Sequence, residues 1–426
     1  MITSVPPQDA PRRPPRTARP DEVPRLREPG CRLPEPGEST EEFWAAVRST
    51  GTPLVSPDPQ GSAQHHAVTF LWRGTHATRA VQVLPNKIGD PRAPEGNLME
   101  RVPGTDVWHW SLRLRHDWRG TYDFYVDEGD GPRPGTAGYW QWLRDQRRHD
   151  PLNSRTLPRR WSGGPVSYAE LPAAPDGKDW QPRPDVPRGR VAAHDVPAGK
   201  PGGGGTRRVW LYEPPLDPGH SAELPVLVLL DGEHWHPHLG LGHLLDNLIA
   251  DGRIPPLVAL LPDSVDADTR WSDMTCRPEF AAFLADELLP WAASRLPVTD
   301  DPARTVVAGQ SLGGLCAAHA ALSVPGRFGA VLAQSGSFWW PDGPQAQWLT
   351  DRIEAAPRLP VRFRLSFGEQ EWVALPAARR LREVLAAAGY DDASYQEFNG
   401  GHDYLCWRTE LADGLVDLLG PAAPTG

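Results

Sequence analysis

Cysteine is scarce in this 426-residue chain, and Cys31, Cys276, Cys316 and Cys406 stand far apart without a CxxC pair. Such spacing excludes a disulfide scaffold and a cysteine-rich zinc module. An excess of positive charge is also lacking: 44 Lys and Arg face 54 Asp and Glu, a net charge of −10. A generally basic nucleic-acid binder is thereby excluded, because phosphate contacts need clustered cations. No apolar run reaches the roughly 18 residues of a membrane-spanning helix. Nor does an apolar segment follow the first arginines, as a secretory signal requires. Scattered, reduced cysteines and no leader give an expected cytoplasmic location. What is plentiful is proline and glycine, 49 and 41 residues, and tryptophan, 18 against 10 Phe and 8 Tyr. Pro and Gly together reach about 21% of the chain, where about 12% is usual.

The surplus is unevenly spread. Ten prolines fall in the first 36 residues, with several arginines and almost no large apolar side chain. Residues 1–38 are therefore expected to form a disordered tail, since little burial is available to offset ordering. From 39 to 185 the pattern changes. "STEEFWAAV" predicts a helix with Ser39 or Thr40 as N-cap and Glu42 in its first turn. "HAVTFLWRG", "AVQVLPN", "LMERVPG", "DVWHWSLRL" and "GTYDFYVDEG" predict the strands of a small β-sandwich. Residues 172–187 read as a linker, and 202–205 as a flexible loop or hairpin tip.

From 186 to 420 apolar strands alternate with helices, before a short tail at 421–426. "RRVWLYEPP", "LPVLVLLDG", "PLVALLPDS", "ARTVVAGQS", "FGAVLAQSG", "VRFRLSFGE" and "ASYQEFNGGH" are the predicted strands. Helices are predicted at about 239–250, 278–294, 312–323, 376–388 and 404–418. The fold class is α/β, a mostly parallel sheet covered on both faces, preceded by the sandwich. Ligands of such sheets bind beyond the carboxyl ends of the strands.

At one of those ends stands Gly309-Gln310-Ser311-Leu312-Gly313-Gly314, following the strand "RTVVA" and opening the helix "LCAAHAAL". GxSxG between strand and helix is the nucleophile elbow of α/β-hydrolases, which makes Ser311 the expected nucleophile. The base is expected on a loop after the last strand, where His402 follows Gly400-Gly401; His319, inside the nucleophile helix, reads as a packed residue. The acid belongs between serine and histidine in the chain. Glu371 is preferred, three residues after the glycine that ends its strand; Glu369 is the alternative, and Asp403 reads as a helix N-cap. Oxyanion donors are expected from the N–H of Leu312 and from that of Glu233 or Gly232. His234, His236 and His238 alternate as metal ligands can. No carboxylate or cysteine is placed to complete such a site, so no metal is expected.

The segments "LLDGEHW", "TRWSDMTCRPEFAAFLADELLPW", "GQSLGGLCAAHAAL", "RFGAVLAQSGSFWWP" and "GGHDYLCWR" resemble the enterochelin (enterobactin) esterases. "FLWRG…VWHWSLRL…GTYDFYVDE" and "DPLNSRTLP" resemble that family's N-terminal domain. The resemblance runs from about residue 39 onward. It implies hydrolysis of the lactone backbone of a ferric catecholate siderophore by Ser311, Glu371 and His402. No cofactor is implied, the iron arriving with the substrate; no nucleic acid or membrane partner is implied either. A trianionic, aromatic substrate calls for local cations and ring faces. Arg270, Arg277 and Arg408 are the expected cations. Trp235, Trp271, Trp339, Trp340, Trp372 and Trp407 are the expected aromatic contacts, gathered around one pocket. Two alternatives stay open: a feruloyl or acetyl carboxylesterase, and a non-catalytic siderophore carrier.

Overall fold

The computed structural model describes residues 6, 14–15, 17, 19–90, 93–133, 136, 138–161, 164–199, 205–219, 221–343 and 345–421. Among them the larger sheet has eight strands. In spatial order these are Arg190–Pro197, Thr206–Glu213, Val258–Pro262, Val226–Leu229, Thr305–Gln310, Ala330–Gln334, Arg362–Gly368 and Ser394–Phe398. The first two run antiparallel to their neighbours, and every later pairing is parallel. The central strands are buried along their whole length, which is why they read as unbroken apolar runs rather than alternating ones. Two large apolar clusters cover the two faces. One includes the nucleophile helix Leu312–Ser323; the other includes Leu241–Ala250 and the last helix, Tyr404–Leu419. The α/β-hydrolase architecture expected from the sequence is what the chain forms.

The sandwich consists of two five-stranded sheets. One is built on Val107–Arg115 and His65–Arg73, the other on Arg119–Asp127 with Ala80–Pro85 and Pro165–Glu170 beside it. Phe70, Trp110, Trp118, Tyr122 and Phe124 fill the space between them. All described cysteines are free. Among the described residues no helix is long and apolar enough to cross a membrane.

Two segments depart from expectation. Part of the supposed tail is ordered: Arg25 and Leu26 pair with Leu112 and Ser111, and Val23 packs on the sandwich core. A segment poor in apolar side chains can still dock through its backbone on an open sheet edge. Residues 1–5, 7–13, 16 and 18 of that tail lie outside the described residues, as do 202–204 and 422–426. The supposed linker is packed on the hydrolase. Trp180 is buried and stacks on Trp235, its indole N–H donating to the Arg408 carbonyl at 3.1 Å. Asn247 donates to the carbonyls of Asp179 and Gln181, both at 2.9 Å. The strand Arg190–Pro197 escaped the sequence reading because it is an edge strand with half its side chains exposed.

Candidate active site

Ser311 sits between its strand and helix with φ 58° and ψ −121°, a conformation few L-residues hold without support. The turn closes because Gly309 and Gly313 lie back to back: a Cβ on Gly309 would come within 2.4 Å of the Gly313 carbonyl carbon. Behind the turn a chain of polar groups fixes it. The Trp235 indole donates to Gln310 Oε1 at 3.0 Å. Gln310 donates to Gln334 Oε1 at 2.8 Å, and Gln334 to the Trp407 carbonyl at 2.9 Å. The Ser311 hydroxyl lies 3.5 Å from that of Ser337.

Glu371 and His402 meet. The His402 Nδ1 is 2.5 Å from Glu371 Oε2, and the carboxylate is buried. Its other oxygen accepts from the Ser335 hydroxyl at 2.5 Å and from the Gly368 N–H at 2.8 Å. Ser335 in turn accepts from the Trp407 indole at 2.8 Å, and the Trp407 ring stands edge-on to His402. Burial alone would raise the Glu371 pKa. The His402 ring and the two donors outweigh it and hold the carboxyl below its ordinary value. Glu369 points elsewhere, to Arg115 of the sandwich at 3.1 Å. Asp403 caps the last helix, accepting from the Cys406 N–H, and His319 is buried within its helix.

Ser311, Leu312, Glu371 and His402 line one cavity of about 840 Å³, roofed by the sandwich. Trp271, Trp339 and Trp372 line it too. The other three expected tryptophans do not. Trp235 is fully buried and bonded to Gln310, Trp340 is packed edge-on beneath Trp271, and Trp407 serves Ser335. The expected cations also need correction. Arg270 is tied to the buried Asp231 by two 2.8 Å bonds. Arg277 leads into the helix Pro278–Ala282, away from the cavity, and Arg408 lies half-buried over the Trp180 ring. The cations that line the cavity are Lys87, Arg147, Arg159 and Arg160, all from the sandwich, and Trp161 stands exposed beside them with Arg160 over its ring. The one available signal was the run of arginines flanking Trp161.

Asp231, at φ 66°, anchors the loop that carries Gly232 and Glu233. It accepts from Arg160 at 2.8 Å, from Ser264 at 2.7 Å and from Arg270. Burial would push this carboxyl up, but Arg160 and Arg270 hold it below the carboxylate range. Glu233 takes a second set of bonds from Arg160 and one from the Ser264 N–H at 3.1 Å. Gly232 is packed on Leu261, so of the three expected oxyanion residues Leu312 alone lines the cavity. His234 is buried against Tyr404, and burial pushes its pKa down to about 4. Among the described residues no three His, Cys, Asp or Glu side chains are grouped to hold a metal ion.

Comparison with known proteins covers nearly the whole chain. The family described as "Enterochelin esterase, N-terminal" matches residues 67–180, and that described as "Putative esterase" matches 204–418. The iron(III) enterobactin esterase of Dickeya dadantii is 36% identical, over 91% of this chain and 94% of its own. An iron(III) salmochelin esterase of Escherichia coli O6:H1 is 31% identical, over 89% of this chain and 93% of its own. The crystal structure of ferric enterobactin esterase from Salmonella typhimurium superposes with a TM-score of 0.77 at 34% identity, covering 88% of this chain and 98% of that one. The enterobactin esterase of Shigella flexneri, crystallised in the presence of enterobactin, gives 0.75 at 32% identity, covering 90% and 98%.

Proposed function

The chain belongs to the iron(III) enterobactin esterase family, and we propose that it hydrolyses the ester bonds of a ferric catecholate trilactone through Ser311, His402 and Glu371. The observation that carries the reading is the Glu371–His402 pair, opening with Ser311 into a cavity walled by tryptophans and arginines. The ionised carboxylate can only accept, so Nδ1 of His402 carries its proton and Nε2 is left free to act as base. His402 takes the Ser311 proton as the serine oxygen attacks an ester carbonyl. The tetrahedral oxyanion is held by the Leu312 N–H at the head of its helix. Collapse returns the proton from His402 to the leaving hydroxyl and leaves a Ser311 ester. Water, deprotonated by His402, then cleaves that ester and restores the serine.

The serine hydroxyl lies 3.5 Å from that of Ser337, and attack requires it within hydrogen-bond reach of His402 Nε2. Trp161, Trp271, Trp339 and Trp372 offer ring faces to the catechols, while Lys87 and Arg147 supply positive charge at the mouth of a protein of net charge −10, the charges of Arg159 and Arg160 being matched by Asp123 and by Asp231 and Glu233. Opening the lactone unties the catechol arms, so their effective concentration around iron falls. Four unpaired cysteines support a cytoplasmic setting. The test is a competition between ferric enterobactin and a feruloylated sugar, followed by mass spectrometry. Linear dihydroxybenzoylserine fragments are expected, with the sugar ester untouched; the reverse preference overturns the substrate assignment.

A further inference from the structure

The backbone of His402 is held by the other domain. Asn86, at the end of the sandwich strand Ala80–Pro85, donates through its side-chain amide to the His402 carbonyl at 3.0 Å and accepts the His402 N–H at 3.2 Å. One amide thus satisfies both backbone groups of the histidine, as a neighbouring β-strand residue would. Asn86 is itself fixed, its N–H donating to the Thr121 carbonyl at 2.8 Å. The residues around His402 follow the same pattern. Asp403 accepts from the N–H and the hydroxyl of Thr121, both at 3.0 Å, and the Arg119 N–H reaches the Asn399 carbonyl at 3.4 Å. Gly401 completes the fit: a Cβ there would lie 2.6 Å from the Asn86 carbonyl oxygen and 3.0 Å from its side-chain oxygen. The absence of a side chain at 401 is what lets the sandwich approach the loop.

We propose that Asn86 is a positioning residue for His402, and that the sandwich domain therefore sets the geometry of the catalytic base as well as covering the cavity. The proposal rests on the reading of His402 as that base. Glu371 fixes the imidazole from one side, and Asn86 fixes the backbone from which the ring projects. Without Asn86 the 399–403 loop keeps fewer ties, and the ring loses its register with Ser311. A displacement on the order of 1 Å at a reacting group costs about 100-fold in rate.

The test separates positioning from substrate contact, since Asn86 also lines the cavity. The full chain and its Asn86→Ala variant are assayed on ferric enterobactin and on 4-nitrophenyl acetate, an ester too small to fill the cavity. Positioning predicts that kcat falls by about 10- to 100-fold on both esters while KM for the small one moves less than about twofold. Asn86→Asp keeps the acceptor for the His402 N–H and loses the donor. Its kcat is expected between the other two, and it carries the test should Asn86→Ala fail to fold. Gly401→Ala supplies an independent arm: its methyl would meet the backbone carbonyl oxygen of Asn86 at 2.6 Å, so it should part the loop from the sandwich and lower kcat on both esters with the Asn86 side chain intact. An unchanged kcat on 4-nitrophenyl acetate, with a raised KM on ferric enterobactin alone, overturns the proposal and makes Asn86 a substrate contact. His402→Ala is the control for the reading beneath it. Full activity in that variant removes the base assignment, whereas its loss with an active Asn86→Ala removes the positioning role alone.

Discussion

Replacing Glu371 by glutamine changes one oxygen to NH2, and the structure dictates which. Oε1 accepts two bonds, from Ser335 at 2.5 Å and from the Gly368 N–H at 2.8 Å, so the amide oxygen must stay there. The NH2 is then forced to the position 2.5 Å from His402 Nδ1, where it can only donate. Nδ1 must accept, the ring proton moves to Nε2, and the face turned to Ser311 can no longer take a proton. In a serine triad elsewhere, holding the histidine in its wrong tautomer lowers kcat by about 10⁴-fold. At about 1.36 kcal/mol per decade this is about 5.4 kcal/mol of transition-state stabilisation. Glu371→Gln is therefore expected to lose three to four decades of kcat, roughly, with KM nearly unchanged. Steady-state release from 4-nitrophenyl acetate measures it, and the thermal midpoint verifies that a variant of equal volume with both acceptor bonds remains folded. If Glu371→Gln keeps more than about a tenth of the wild-type kcat, the tautomer argument is wrong.

Acid should erase the stabilising role of the same carboxylate. Its folded pKa lies below the ordinary value, so its contribution is present at neutral pH and is lost as pH falls through that depressed value; the gap in urea midpoint between wild type and Glu371→Gln should narrow between pH 6 and pH 3. Arg119 of the sandwich and Glu410 of the last helix form a buried pair at 2.9 Å, with side chains 1% and 2% exposed. Arg119→Met should cost about 3–5 kcal/mol, a fall of about 3–6 °C in Tm by calorimetry, and a second change, Glu410→Met, should recover most of it. Trp161→Ala and Trp372→Ala should each raise KM for ferric enterobactin about 5- to 10-fold and leave 4-nitrophenyl acetate unaffected, because ring stacking and cation–π contacts are worth about 1 kcal/mol each. Trp407→Phe should act differently, lowering kcat on both esters, since it removes the donor to Ser335 that orients Glu371.

The hydrolase half was legible because its signals are local. Fully buried strands write themselves as apolar runs, and a strand-to-helix turn as tight as that at Ser311 leaves glycine as the residue that fits at 309. The position of Glu371 was readable for the same reason, three residues beyond the end of its strand. The walls of the cavity were not. Asn86 meets His402 across 316 residues of chain, and Arg160 meets Asp231 across 71, so no window of sequence contains either contact. A loop tryptophan is equally ambiguous. Trp407 and Trp372 both follow strands near the site. Trp407, three residues into a helix that packs on the sheet, is turned inward to Ser335, while Trp372 faces the cavity. The proline-rich segment misled in the opposite direction, since composition reports how little apolar surface it can bury and is silent on the backbone bonds that Arg25 and Leu26 make with a sheet edge.

The central claim is that Ser311 cleaves the trilactone, and product analysis of two proteins tests it most directly. Wild type and Ser311→Ala are incubated with ferric enterobactin under identical conditions, and the mixtures are resolved by liquid chromatography and mass spectrometry. The account predicts linear dihydroxybenzoylserine fragments from the wild type and intact trilactone from Ser311→Ala. Equal cleavage by the two proteins, or none by the wild type, would contradict it.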